Sequence, residues 1–237
     1  MSSNDLAAAI SHLESAIDAE PEFASAYALL GLCHAHIGAR GWVKPARDAY
    51  DKARQFAEES VRLSPANAEA NHALAFVLSV TGHAAEAVAV ARRALDSNPN
   101  YADAYSALGH ALVFCGQLEE GLEACYKAQR SNPKDPRGSW LYDAMGHAYF
   151  FLGEYDKAIE ISQKGLHQDP SVFGNIVTLA CVHAQLGDAA KARQYIDQLL
   201  ESIPRFSLAA LKKNPMFVDQ SLVDKLVESM RVAGLPE

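Results

Sequence analysis

Two histidines and an aspartate stand at positions from which their side chains could act together. Asp143 precedes His147 by four residues, and His110 lies 37 residues before His147. Side chains four residues apart share one face of a helix. Imidazole and carboxylate groups bind transition metals and also act as general acids and bases. The chain has nine histidines, however, so a metal site, an acid/base pair and a polar surface lining all stay open.

Other signatures of chemistry are missing from the sequence. There is no Ser/His/Asp triad pattern, Gly-rich phosphate loop or HExxH motif. The four cysteines are far apart and never form C-x-x-C, which argues against a disulfide framework or a zinc knuckle. They are typical of buried thiols in a reducing compartment and favour a cytoplasmic location. We therefore predict a protein that is not an enzyme and that holds no metal or cofactor.

Composition and charge exclude two classes of partner. With 237 residues, 49% of them hydrophobic and 21% charged, the chain can bury a substantial core. Its net charge of −8 and the absence of any Lys/Arg run argue against nucleic-acid binding by this segment, which would need clustered cations. No apolar run approaches the roughly 18 residues of a membrane span, and the N-terminus lacks the basic region of a signal peptide. We expect no membrane insertion.

The elements that would position His110, Asp143 and His147 recur along the chain. Five segments of eleven residues align without gaps: ALLGLCHAHIG from Ala28, HALAFVLSVTG from His72, SALGHALVFCG from Ser106, DAMGHAYFFLG from Asp143 and VTLACVHAQLG from Val177. Their starts are separated by 44, 34, 37 and 34 residues, and each is followed by a second apolar-periodic run that ends at a proline. The period is therefore 34 residues, with two insertions.

Each unit is predicted to be a helix, a turn and a second helix. The second helix ends before the proline, because proline disfavours the helical conformation of the preceding residue. A glycine marks each predicted turn, and these glycines are Gly38, Gly82, Gly116, Gly153 and Gly187. Small residues recur where the two helices must approach closely, at Gly31, Ala75, Gly109, Gly146 and Ala180 on the first helices.

This pattern resembles the tetratricopeptide repeat (TPR) family, whose 34-residue helix pairs carry the same Leu-Gly/Ala, aromatic, Ala and Pro positions. The resemblance covers nearly the whole chain. It implies an all-α fold, a right-handed α-solenoid of stacked antiparallel helix pairs with a C-terminal capping helix. The predicted units are a half repeat at 1–23 containing a second helix only, repeats at 24–67, 68–101, 102–138, 139–172 and 173–206, and a cap at 207–237.

The stretch GARGWVKPARDAY, residues 38–50, interrupts the first full repeat. Fifteen residues separate Gly38 from Ala53, whereas five separate Gly82 from Ala87, so ten residues are inserted in this turn. Pro45 is suited to the first position of a helix, which predicts a second helix extended by a turn or more. Trp42 is placed on a protruding loop, where it either folds back over its own helix pair or contacts a partner.

The two ends of the array differ. The half repeat LAAAISHLESAIDAE lacks its partner helix, so we expect an apolar helix face that further chain or a second subunit of a homodimer would cover. At the other end, RFSLAALKKN predicts a short helix, Pro215 a break, and VDQSLVDKLVESMRVAG an amphipathic cap. This ending and the Gly-Trp insertion are similar to C-terminal TPR regions of bacterial class III adenylate cyclases and winged-helix transcriptional regulators, which implies a regulatory role.

The resemblance also implies a concave groove, lined by the first helices, that binds a protein or peptide partner. The predicted groove residues are Glu69, His72, Phe76, Asp103, Ser106, His110, Trp140, Asp143, His147 and Phe150. The ten residues at the two main groove positions include no Lys, Arg or Asn, which argues against the family's carboxylate clamp for chaperone tails. Glu69, Asp103 and Asp143 favour a basic or apolar peptide instead.

These observations predict a non-enzymatic protein–protein interaction scaffold that is a regulatory module of a larger bacterial signalling protein. The alternative is that the groove senses a small molecule and relays its binding to an N-terminal effector, either a cyclase or a DNA-binding domain. Binding of a small molecule would raise the stability of the folded state by mass action, and peptide binding would depend on Phe76, His110 and Trp140.

Overall fold

A computed structural model of the chain describes residues 3–43, 45–135, 138–213 and 216–237, and in these ranges the regular structure is entirely helical. The helices are α1 Ser3–Ala19, α2 Ala24–Ala39, α3 Ala46–Leu63, α4 Ala68–Val80, α5 Ala84–Ser97, α6 Ala102–Phe114, α7 Leu118–Ser131, α8 Gly138–Leu152, α9 Tyr155–Gln168, α10 Gly174–Gln185, α11 Ala189–Ser202, α12 Leu208–Lys212 and α13 Gln220–Val232. None of them is both long and apolar enough to cross a membrane.

The helices stack as successive pairs. Helices α2 to α11 form five pairs in chain order, and each first helix also packs against the first helix of the next pair. The first helices are apolar and deeply buried. In α4, for instance, every residue from Ala70 to Val80 is buried. A helix that lined an open groove would keep one exposed side, so further parts of the chain must cover much of the concave face.

Four of the five predicted turn glycines are confirmed, and the fifth prediction is wrong. Gly82, Gly116, Gly153 and Gly187 have φ values of 86°, 81°, 79° and 75°, which favour glycine. In the first pair α2 continues through Gly38, and Gly41 takes the left-handed conformation with φ 66°. A Cβ atom at residue 38 would lie 2.8 Å from Cε1 of Tyr50, so glycine at this position lets the Tyr50 ring pack directly against α2.

The insertion lengthens the second helix of the first pair, as predicted. Helix α3 has 18 residues, against 14 in α5. Pro45 is not its first helical residue, because a ψ of 144° keeps Pro45 extended and makes it the N-cap. The neighbouring Lys44 lies outside the described residues.

The C-terminal cap is confirmed, although it does more than close the last pair. The predicted break at Pro215 lies outside the described residues, but α12 and α13 form as expected. The backbone N–H of Val218 donates to the carbonyl oxygen of Phe114 at 2.9 Å, at the end of α6. Nζ of Lys225 donates to the carbonyl oxygens of Phe150 and Phe151, at 3.3 and 3.1 Å, at the end of α8. The chain therefore turns back from α11 across the ends of α6 and α8.

The cysteines are free thiols. Cys33, Cys125 and Cys181 are buried, as predicted for small apolar residues, whereas Cys115 is only partly buried. Burial raises the pKa of Cys125 to about 12, because the thiolate would lose its hydration. These thiols therefore contribute packing volume to the core rather than nucleophiles.

Candidate functional site

Five of the predicted groove residues line one pocket that opens to solvent on the concave side. The pocket has a volume of about 30 Å³, and we call it the open pocket. Its lining residues are Leu32, His36, His72, Phe76, Asp103, Ser106, Ala107, Asp135 and Trp140. Glu69 is half-buried and precedes His72 by three residues on α4, so the two residues share a helix face. Helices α2, α4, α6 and α8 thus each contribute to one surface.

Aromatic rings form the floor of the open pocket. The rings of Phe76 and Trp140 meet edge to face, with centroids 5.7 Å apart, and the His36 ring lies 4.8 Å from Phe76. The polar wall contains the carboxylates of Asp103 and Asp135, and the described lining includes no Lys or Arg. Such a surface suits an apolar or cationic side chain.

Trp140, Asp143 and His147 also line a second space, which we call the interior cavity. It has a volume of about 70 Å³. The rest of its wall is mainly apolar and consists of Ala39, Tyr50, Val80, Phe114, Val172, Phe173, Gly174, Val177, Phe206, Leu211, Met216, Phe217 and Leu226. The sequence predicted only the three residues on α8. For four of the others, Phe206, Leu211, Met216 and Phe217, the signal was a cluster of large apolar residues that lies outside the repeat period.

The acidic and imidazole groups predicted to act together do meet in the structure. Oδ1 of Asp143 lies 3.4 Å from Nδ1 of His147, and Oδ2 lies 3.8 Å from Nε2 of His110. The Asp143 side chain is only 6% exposed. Burial would raise its pKa, but the charge of His147 and the contacts with both imidazoles hold the pKa of Asp143 at about 2.

The pKa of His147 shifts in the direction opposite to that of Asp143. Burial would lower its pKa, but the Asp143 carboxylate outweighs burial and raises the pKa above the ordinary value of 6.5. Its Nδ1 also lies 2.9 Å from the backbone carbonyl oxygen of Asp143. Asp143 and His147 therefore form a buried ion pair beside the interior cavity.

Three polar atoms around this ion pair are buried without a hydrogen-bond partner among the described residues. They are Oδ1 of Asp143, Nε1 of Trp140 and Nε2 of His110. A buried polar atom without a hydrogen bond costs about 1–3 kcal/mol, and for Oδ1 of Asp143 the 3.4 Å contact with Nδ1 of His147 offsets part of that cost. Across the described ranges of the chain, no group of three or more His, Cys, Asp or Glu residues is arranged to hold a metal ion. The metal-site alternative therefore gains no support from the geometry.

His110 lines neither of these spaces, and the predicted residues Phe150 and Trp42 also lie apart from them. Phe150 is fully buried, its ring stacks on Tyr155 at 6.2 Å and Nζ of Lys225 lies 5.1 Å from it, so it belongs to the core rather than to an open groove. Trp42 is half-buried and its ring centroid lies 5.4 Å from the guanidinium carbon of Arg40. The insertion therefore folds back against its own array.

Arg40 connects the insertion with the far end of the groove. Its Nη2 lies 2.8 Å from Oδ2 of Asp169 and its Nε donates to Oγ of Ser171 at 3.0 Å, in the turn between α9 and α10. The Arg40 side chain is 3% exposed, and its guanidinium carbon also lies 5.7 Å from the Trp140 ring centroid. Residues near opposite ends of the array thus meet across the concave face.

Family comparison agrees with this architecture. Profiles described as tetratricopeptide repeat match residues 1–68, 81–142, 141–171 and 175–206. The chain belongs to the tetratricopeptide repeat family. The matches together span most of the helix pairs, and the unmatched residues 69–80 include His72 and Phe76 of the open pocket.

Solved tetratricopeptide repeat proteins share the fold at low sequence identity. PilF of Pseudomonas aeruginosa is 21% identical, with 89% of this chain and 86% of that chain covered and a TM-score of 0.58. PilW, a type IV pilus biogenesis factor, is 18% identical over 86% and 88% of the two chains, with a TM-score of 0.59. A thermophilic tetratricopeptide repeat protein of Thermus thermophilus is 22% identical over 85% and 99%, with a TM-score of 0.57. No curated protein sequence is significantly similar to the chain.

The Asp143–His147 ion pair makes the stability of this tetratricopeptide repeat array depend on pH. The lowered pKa of Asp143 contributes stability above about pH 3.8, which is lost as the pH falls toward 2. The raised pKa of His147 contributes stability that is complete below about pH 6.5 and is lost as the pH rises through the folded pKa. The pair therefore stabilises the fold most between roughly pH 4 and pH 6.5.

We expect His147→Gln to lower the free energy of unfolding more at about pH 5.5 than at about pH 8.5, because the stability that the raised pKa of His147 contributes is complete below the ordinary value of 6.5 and falls as the pH rises above it. Urea unfolding at both pH values measures this difference. Phe151→Leu is the matched control, since it changes a ring 6.3 Å from His147 without changing a titratable group. An equal cost of His147→Gln at both pH values would show that the pair is not ionised.

Proposed function

We propose that the chain binds a basic or apolar peptide segment at the open pocket and is a non-enzymatic regulatory module of a larger bacterial signalling protein in the cytoplasm. The tetratricopeptide repeat fold supports a protein–protein interaction scaffold in general. The observation that carries the specific proposal is the aromatic floor of Phe76 and Trp140 beside the carboxylates of Asp103 and Asp135.

The shape of the groove restricts how a peptide would bind. The C-terminal segment, defined as residues 206–213 and 216–219, packs against the ends of α6 and α8, where the Phe217 ring contacts Phe114 and Phe151. The open pocket, at about 30 Å³, has room only for the end of one side chain. A partner would therefore insert a single Lys, Arg or apolar side chain and lie along α2, α4 and α6.

The negative charge at the open pocket favours a basic partner. Asp103 and Asp135 line the open pocket, Glu69 lies on the same helix face as the lining residue His72, and the whole chain carries a net charge of −8. A cationic side chain can lay its aliphatic stem on the Trp140 ring while its charge lies near these carboxylates. An acidic peptide would meet repulsion at the same surface.

Peptide binding is tested with two short fluorescein-labelled peptides, one alternating Lys with Leu and the other alternating Glu with Leu. We expect the Lys/Leu peptide to bind more tightly in fluorescence anisotropy, and Asp103→Asn to weaken it about tenfold, which is the value of one charge-assisted contact. Glu119→Gln, an exposed change at the start of α7, is the matched control and should leave affinity unchanged. Equal binding of both peptides, or an equal loss in the control variant, would contradict the proposal.

The regulatory role is tested by the reading frame upstream of Met1. A cyclase or winged-helix domain encoded there would support a regulatory module. A stop codon directly before Met1 would exclude an N-terminal effector on the same chain.

Small-molecule sensing is a second candidate function, and a separate observation favours it. The interior cavity shares only Trp140 with the open pocket among the described lining residues. A molecule in the cavity would therefore touch the ring that also forms the floor of the peptide site.

A further inference from the structure

The interior cavity has the dimensions of a site for one small molecule. A single water needs about 10–15 Å³ of cavity volume, so a cavity of about 70 Å³ accommodates roughly five waters or one small ring. Aromatic and aliphatic side chains form most of its wall, among them Phe114, Phe173 and Phe217. An apolar ring would fit these surfaces without leaving polar groups of its own unpaired.

The polar part of the cavity wall restricts which chemical groups of a ligand can pack against it. The Asp143 carboxylate lines the cavity, and its buried Oδ1 lies 3.4 Å from Nδ1 of His147 but makes no hydrogen bond with the described residues. An ionised carboxylate only accepts hydrogen bonds, so a ligand group that meets it must be a donor. A ligand carboxylate would instead place two negative charges together in a poorly hydrated space.

We infer that the interior cavity binds a small molecule composed of one apolar ring and a hydrogen-bond-donating head group, an amine or a hydroxyl, that donates to Oδ1 of Asp143. This inference rests on the second candidate function, small-molecule sensing, and specifies its ligand. It can be tested separately from peptide binding at the open pocket, because Asp143 does not line that pocket.

The cavity adjoins an outer depression on the protein surface, and we call the boundary between the two spaces the mouth. Tyr50, Val80, Phe173 and Met216 line both the interior cavity and an outer depression of about 530 Å³. The outer depression lies between α3 and the turn from α4 to α5, and its wall includes Arg54. The insertion in the first repeat and the C-terminal segment thus form the two sides of the mouth.

Four aromatic probes of similar size test the inference by calorimetric titration of the full chain. Phenethylamine and phenethyl alcohol carry a donor, ethylbenzene carries none, and hydrocinnamate carries a carboxylate. We expect at least one donor-bearing probe to bind about tenfold more tightly than ethylbenzene, and hydrocinnamate to bind most weakly. Tighter binding of phenethylamine than of phenethyl alcohol would identify a cationic ligand, and tighter binding of the alcohol would identify a neutral one. Ethylbenzene or hydrocinnamate as the tightest probe, or no binding by any probe, would overturn the inference.

Substitutions locate the binding. Asp143→Asn keeps the side-chain shape but removes the charge, and we expect it to weaken the donor-bearing probes about tenfold while ethylbenzene is unaffected. If Asp143→Asn does not fold, Val177→Leu adds volume to the cavity wall while it keeps the carboxylate, and it should weaken every probe that binds. An unchanged affinity of the donor-bearing probes in the folded variants would overturn the assignment to this cavity.

Asp103→Asn separates this inference from peptide binding. It removes a carboxylate from the open pocket only, so the probes should bind this variant as they bind the wild type. Loss of probe binding in Asp103→Asn would place the probes in the open pocket and overturn the inference. Failure of the Lys/Leu peptide to bind would leave the probe results untouched and would count against the peptide proposal alone.

Discussion

Phe217→Ala is expected to lower the free energy of unfolding by about 3–5 kcal/mol, the usual cost of removing a buried phenyl ring. Phe217 is 9% exposed, and its ring centroid lies 4.6 Å from that of Phe114, 5.6 Å from Phe151 and 5.8 Å from His147. The ring thereby joins the C-terminal segment to α6 and α8. Urea unfolding followed by circular dichroism measures the loss.

The adjacent residue supplies the control for this prediction. Val218 is 57% exposed, and its ordered contact is the backbone hydrogen bond to Phe114, which Val218→Ala retains. We expect this variant to change stability by no more than about 0.5 kcal/mol. Similar costs for Phe217→Ala and Val218→Ala would mean that the C-terminal segment is not held in the groove by the phenyl ring.

The repeated part of the fold could be predicted because its signals are local. Gly82, Gly116 and Gly187 each follow an apolar helix and adopt the left-handed conformation that ends it, and this chemistry is repeated with the 34-residue period. Gly38 occupies the same place in the period but serves a different purpose, because the ring of Tyr50 packs against it. The periodic pattern carries no information about a contact that occurs once.

Only the residues on one wall of the interior cavity could be predicted from the sequence. Asp143 and His147 were placed together from their helical spacing, and Trp140 from its position in the repeat. The opposite wall comes from Tyr50 in the insertion and Phe217 in the C-terminal segment, which meet the first helices through contacts between distant parts of the chain. Such contacts depend on how the whole array curves. For the same reason, the deep burial of Asp143 could not be read from local sequence.

Arg40→Ala is expected to lower the free energy of unfolding by about 3 kcal/mol, near the lower end for breaking a buried ion pair. The Arg40 side chain is 3% exposed and its partner Asp169 is 23% exposed, so water compensates the remaining carboxylate only in part. The substitution also removes the guanidinium packing beside Trp42 and Trp140. Urea unfolding near neutral pH measures this cost.

Arg47→Ala is the matched control, because Arg47 and its partner Asp51 are 85% and 71% exposed and an exposed pair contributes only about 0–1 kcal/mol.

The pH dependence of the cost of Arg40→Ala provides a further check. Burial would raise the pKa of Asp169, but hydrogen bonds from Ser171 and Arg40 lower it, so the stability it contributes is present above the ordinary pKa and is lost as the pH falls. The cost of Arg40→Ala should therefore shrink in acid. A cost no larger than that of Arg47→Ala would show that the insertion is not tied across the groove by this ion pair.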